Sequence, residues 1–246
     1  MSRRDPKHLK ILRGASIEIS VGLSSCLCSR PESCDCNESW FLPKALISQY
    51  SPFLRAACTR DFKERDQNLI ELPEDDPAAF ALFVEWMYYG EYTVLASSST
   101  LSESLHNDTN MNAKCWVLGD KLLCTEFKNY AMGRLYMQHT ARSTGRVVAT
   151  YNVQYVCEHS ATTSKLRQFY LDYVVEHFAD PTRLKGTTEE WDELLIHHKD
   201  LRMLVFQSFK TAPDQRRFVQ SEMNYMDQDE LLSNTLDRLR IEGNDS

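Results

Sequence analysis

The chain has 246 residues, of which 42% are hydrophobic, 26% charged and 11% aromatic, with 28 basic against 35 acidic side chains and a net charge of -7. Length and apolar share fit one large domain or two modest ones and exclude wholesale disorder, while eight Gly and eight Pro exclude collagen-like or low-complexity character. The cations are scattered among carboxylates, which sets nucleic-acid binding aside, and no apolar run approaches the roughly 18 residues of a membrane span.

The start, Met1-Ser2-Arg3-Arg4-Asp5-Pro6-Lys7, is charged with no apolar segment behind it, so no secretory signal is expected. Ile17-Glu18-Ile19-Ser20-Val21 alternates apolar and polar side chains, the pattern of a half-buried strand. A loop rich in Ser, Cys and acids runs from Gly22 to Ser39. Trp40-Phe41-Leu42 reads as a second strand, and Pro43 suits the first turn of a helix through Lys44–Ile47. Ser51-Pro52 restarts a helix through Phe53, Leu54, Ala57 and Cys58. Leu69-Ile70-Glu71-Leu72 reads as a third strand, closed by Pro73.

Asp76-Pro77 is a strong helix start: the carboxylate accepts from orphan N–H groups and the proline presets φ. Phe80, Phe83, Val84 and Met87 form one apolar stripe and Leu82, Trp86 and Tyr89 a second, which predicts a helix central to its domain. Gly90 ends it. Residues 96–110 are polar and aperiodic and read as a mobile loop. Helices are expected over Ala113–Leu123 and Glu126–Gln138, and then throughout the last hundred residues. Val147–Glu158 is one of these. Ser164 caps another, with an amphipathic stripe of Leu166, Phe169, Tyr170, Tyr173, Val174 and Phe178. Thr187-x-x-Glu190 is a capping box for a helix bearing Trp191, Leu194 and Leu195. Ala212-Pro213-Asp214 is a break, and Leu232, Leu236 and Leu239 mark a short terminal helix. Short strands with two-helix connections, followed by helices only, give an α+β, mostly helical class.

The run Trp40-Phe41-Leu42-Pro43-Lys44-Ala45-Leu46-Ile47-Ser48, continued by Ser51-Pro52-Phe53-Leu54-Arg55-Ala56-Ala57, resembles the BTB/POZ domain. So do Phe62-x-Glu64, Ile70-x-Leu72-Pro73 and Phe80-x-x-Phe83-Val84-x-Trp86-Met87-Tyr88-x-Gly90-x-Tyr92. Ala113–Leu122 and Phe127–Met132 are similar to the closing helices of that family, of the kind common in fungi. The resemblance covers roughly residues 15–138. It implies a BTB/POZ fold, a small sheet capping a helical cluster, over 15–140, followed by an all-helical C-terminal region over 141–246. It also implies a protein–protein interaction module. Two positions depart from the family pattern. Many members carry an Asp where Ser16 stands, and many carry a His where Pro43 precedes Lys44. In BTB repressors that Asp and Lys line a charged pocket, so the co-repressor reading is weakened here. Sixteen residues precede Ile17, fewer than the helix and strand that exchange between partners in many members, so no strand-swapped dimer is expected.

Phe62-Lys63-Glu64 falls where the resemblance implies the hydrophobe-x-Glu motif of cullin-binding adaptors. An apolar side chain on a loop fills a partner's pocket and a carboxylate pairs at its rim. The alternative is that Phe62 packs under the third strand and Glu64 is solvated. Cys26-x-Cys28-x5-Cys34-x-Cys36 offers four thiolates to a zinc ion, although one intervening residue per pair is tighter than structural sites use; a flexible insertion or a disulfide are the other readings. Cys58, Cys115, Cys124 and Cys157 sit singly in helical patterns and read as core. Adjacent His197 and His198 point about 100° apart on a helix and read as surface. Glu74-Asp75-Asp76 serves a helix N-terminus. No nucleophile–base arrangement and no Gly-rich phosphate loop is legible, so no enzyme and no cofactor are expected. The expectation is an intracellular adaptor that recruits substrate to a cullin-type ubiquitin ligase. A self-assembling scaffold or a transcription-associated interaction protein is the alternative.

Overall fold

The computed structural model describes residues 10–22, 37–59, 68–94, 109–141, 147–212, 215 and 218–228. They fall into two compact units: residues 1–100 with 117–128, and residues 101–116 with 129–246.

The first unit is built on a three-stranded sheet of order β2-β1-β3, with β1 at Ser16–Gly22, β2 at Asn37–Pro43 and β3 at Leu69–Leu72. The period-two pattern of β1 decides its faces: Ile17, Ile19 and Val21 are buried, while Ser16, Glu18 and Ser20 lie on the opposite side. β2 runs antiparallel to β1, with Ile19 opposite Trp40, and β3 runs parallel to it, with Ile19 opposite Ile70. A parallel neighbour needs a crossover connection. Here α1 (Lys44–Tyr50) and α2 (Pro52–Thr59) supply its described part. Pro43 is not inside the helix as expected. It is the last residue of β2, with ψ 126°, and α1 begins after it. Ser51 separates the two helices. Its Oγ accepts from Leu54 N at 3.0 Å and donates to the Leu122 carbonyl at 2.7 Å.

Helix α3, Pro77–Tyr89, starts as its sequence dictates. Asp76 accepts from Ala78 N at 2.9 Å and Ala79 N at 3.2 Å, and Gly90 closes the helix with φ at +80°. Phe80, Phe83, Val84, Trp86 and Met87 are buried. The expected second stripe is incomplete, because Leu82 is half-buried and Tyr89 is 71% exposed. Phe127 fills the space beside this helix, its ring centroid 5.0 Å from Phe83, 5.4 Å from Trp86 and 5.9 Å from Tyr92. Each such aromatic pair adds about 1 kcal/mol beyond the area it buries.

Helices α4 (Met111–Lys121) and α5 (Thr125–Thr140) contribute residues to both units. The second unit adds α6 (Thr150–His159), α7 (Lys165–His177), α8 (Thr188–His197), α9 (Lys199–Lys210) and a 3-10 turn at Glu222–Tyr225. It is not purely helical. Val148–Ala149 and Leu184–Lys185 form β4 and β5, a parallel pair, so the helix expected from Val147 begins only at Thr150. Ser164 and the Thr187–Glu190 box cap α7 and α8 as read from sequence. The stripe expected of α7 proves too narrow, since Leu171, Val175, Arg167 and Asp172 are buried as well. It is the central helix of its unit. His139 is 2% exposed, with its ring 5.5–6.1 Å from Phe169, Tyr170 and Tyr173.

Two polar anchors make this burial tolerable. Arg167 donates to both carboxylate oxygens of Asp200 at 2.9 and 3.0 Å and to the Cys157 carbonyl at 2.7 Å, joining α6, α7 and α9. Asp172 accepts from the Tyr225 hydroxyl at 2.8 Å, and that hydroxyl accepts from Gln220 N at 2.7 Å. Among the described residues no helix is long and apolar enough to cross a membrane. The expected terminal helix at Leu232–Leu239 and most of the expected 96–110 loop lie outside the described residues.

Candidate functional site

Phe62 and Glu64 lie outside the described residues, but both ends of the connection that carries them are described. It leaves from α2, where Thr59 Oγ1 donates to the Arg55 carbonyl at 2.9 Å and Phe53 is 36% exposed. It returns at Asn68, whose φ of +53° starts β3. Asn68 Nδ2 donates to the Ser16 carbonyl at 3.1 Å, and its own carbonyl accepts from Glu18 N at 3.1 Å. Asn is among the few side chains that adopt this backbone region at small cost. Residues 60–67 therefore span two fixed points, one on α2 and one beside β1.

Ser16 stands opposite Pro43 in the sheet, and Lys44 N donates to the Ala15 carbonyl at 2.9 Å. The fold thus brings position 16 beside the start of α1. Near Lys44, burial pushes the Cys58 thiol up from its ordinary value, against smaller opposing effects of Ser48 and the Lys44 charge. Cys58 is half-buried, while Cys115, Cys124 and Cys157 are buried, and burial pushes the Cys157 thiol up to about 11. Cys124 lies in the turn before α5 rather than in a helix. Raised thiol values mark packing groups rather than nucleophiles.

A cleft of about 740 Å³ opens in the second unit between α6, the end of β5 and α8. Tyr151, Glu158, Lys185, Glu193, His197 and His198 are among its lining. His198 is the residue between α8 and α9, and burial holds its imidazole below the ordinary value, with the Arg167 charge acting in the same direction. Glu190, also in the lining, serves its own helix: its carboxylate accepts from Thr187 N at 2.9 Å. Gly186 forms part of this wall with φ at +132°, and a Cβ there would lie 2.6 Å from Thr150 Cγ2. Only glycine lets β5 and α6 approach so closely.

A family model for the BTB/POZ domain matches residues 33–114. The chain carries a BTB/POZ domain. The match spans about a third of the sequence and runs from just before β2 through α3 into α4. No curated protein matches the chain. The small sheet with its helices is the fold that the BTB/POZ resemblance implied, and the domain supports a role in protein–protein interaction.

Around the BTB/POZ domain, the remaining sequence candidates fall as follows. Cys26, Cys28, Cys34 and Cys36 lie outside the described residues. Among the described residues no group of three or more His, Cys, Asp or Glu side chains is arranged to hold a metal ion. Asp76 caps α3, as expected of Glu74-Asp75-Asp76, and Asp75 pairs with Lys121 at 2.6 Å. His197 is exposed and His198 half-buried at the end of α8, in keeping with their reading as surface residues, and both line the cleft.

Proposed function

We propose that this chain is an intracellular substrate adaptor for a cullin-type ubiquitin ligase. Phe62 and Glu64 meet the cullin, and the helical region over 141–246 meets the substrate. The supporting observation is the place of Phe62-Lys63-Glu64. It stands in a connection whose ends are held at Thr59 and Asn68, within a BTB/POZ domain, where cullin-binding members of the family carry an apolar residue followed by x-Glu. An apolar side chain that fills a partner's pocket, with a carboxylate pairing at its rim, is the chemistry of a hot spot.

The test is titration of the full chain with the N-terminal domain of a cullin by calorimetry. Phe62→Ala should weaken binding by about 2 kcal/mol, roughly thirtyfold, with an unchanged urea midpoint. Glu64→Gln should weaken it less and reduce its salt dependence. No binding by the wild type, or equal binding by Phe62→Ala, removes the proposal.

A second reading, the self-assembling scaffold, draws on a different feature. Strand β2 is an edge of the sheet among the described residues and shows Phe41 at 71% exposure. Exposed edges invite pairing with another chain. Sedimentation of the full chain separates the two: the scaffold gives an oligomer that Phe41→Lys reduces to a monomer, and the adaptor reading does not depend on Phe41.

A further inference from the structure

Helix α9 fully buries only Leu201 and Val205. Its outer side carries Met203, Phe206 and Phe209, exposed by 55%, 57% and 60%. At about 100° per residue, these three and the cations Lys199, Arg202 and Lys210 share an arc of about 120°. Asp200, the acidic residue of the helix, lies on another flank and is held by Arg167. The apolar strip continues off the helix: the Phe209 ring lies 6.0 Å from Phe178, and Phe178 lies 5.9 Å from Trp191. Single exposed apolar residues need no explanation. Three at helical spacing, interleaved with three cations in a chain of net charge -7, form a patch that a partner would recognise.

We propose that this face of α9 is a docking surface for an acidic amphipathic helix of a partner protein. The aromatic ridge seats the apolar stripe of such a helix, and Lys199, Arg202 and Lys210 pair with the carboxylates that flank it. Charge complementarity selects this occupant over an anionic bilayer or a nucleic acid. The preceding helix, α8, carries exposed Glu189, Glu190, Asp192 and Glu193, which a broad anionic surface would meet. A single acidic helix lying along the α9 ridge covers far less of this surface than a bilayer would. The surface is independent of residues 62–64, and its test involves no ligase component.

The experiment is fluorescence anisotropy of the full chain with two labelled synthetic helices. One has Leu and Phe at i, i+3, i+4 and i+7 and Glu at the exposed positions, and the other has Lys in place of every Glu. The acidic helix should bind at least about tenfold more tightly than the basic one, with affinity falling as salt rises. The double variant Phe206→Ser/Phe209→Ser should weaken the acidic helix by about tenfold or more. Lys199→Glu/Lys210→Glu should weaken it similarly and flatten the salt dependence. All four positions are exposed, so the charge variant should match the wild type in urea melts, and the serine variant, which loses the Phe209–Phe178 ring contact, should stay folded by circular dichroism under the assay conditions. Absence of binding by the acidic helix, equal binding of both helices, or indifference to both double variants overturns the proposal. So does capture of phosphatidylserine vesicles through the same residues when the acidic helix does not bind.

Discussion

Replacing Asp200 by Asn should destabilise the helical unit more than replacing Arg167 by Met, although each change breaks the same ion pair. The asymmetry follows from burial: the Arg167 side chain is 5% exposed and that of Asp200 is 37% exposed. Asp200→Asn leaves a guanidinium inside the protein with the Cys157 carbonyl and one amide oxygen as acceptors. Stranding one member of a buried pair costs about 3–5 kcal/mol, and the retained acceptors place this case near 3 kcal/mol. Arg167→Met puts a flexible apolar chain in the same space and lets Asp200 hydrate. What remains is an unpaired carbonyl at Cys157, worth about 1–2 kcal/mol. Urea unfolding of the full chain, followed by circular dichroism, measures both. The double variant should fall close to Arg167→Met alone, because the second change then strands nothing. An Arg167→Met penalty equal to or above that of Asp200→Asn would refute the reasoning.

Two further outcomes are expected. Asp76→Ala should cost about 1 kcal/mol, because two N–H groups at the start of α3 lose their acceptor, whereas Asp76→Asn should retain most of the stability in the same urea assay. His177 and His198 titrate below their ordinary 6.5 because burial disfavours the charged ring, so the unfolded chain takes up protons first as pH falls. Their contribution to stability is complete above about pH 7 and declines through pH 6.5 and below. His177→Gln/His198→Gln should flatten the acid side of the stability–pH curve, and an unchanged slope would exclude this role.

Local signals were the legible ones. The alternation of β1, the Asp76 cap, the Gly90 stop, the Ser164 cap and the Thr187–Glu190 box each need only neighbours along the chain, and each stands as read. What was missed depends on distant partners. The burial of Arg167 requires Asp200, 33 positions away, and that of Asp172 requires Tyr225, 53 positions away, so an apolar-stripe reading made α7 too narrow. The β4–β5 pair is two residues long on each side and offers no period to detect. Ser16 beside Lys44 follows from the β1–β2 register, which spacing along the chain does not fix. Tyr89 shows the opposite case: an aromatic ring at helical spacing reads as buried, yet it faces solvent.

The place of Phe127 bears on how the protein is made. The rings of Phe83 and Trp86 leave the ribosome well before Phe127, which covers them, and Ser51 waits longer still for the Leu122 carbonyl. Residues 109–116, already synthesised by then, have their own unit still to come from Asn129 onward. Neither unit is one continuous stretch of polypeptide, so both mature late in translation and expose apolar surface until then. A graft of residues 33–114 into another gene would transplant a core without its lid.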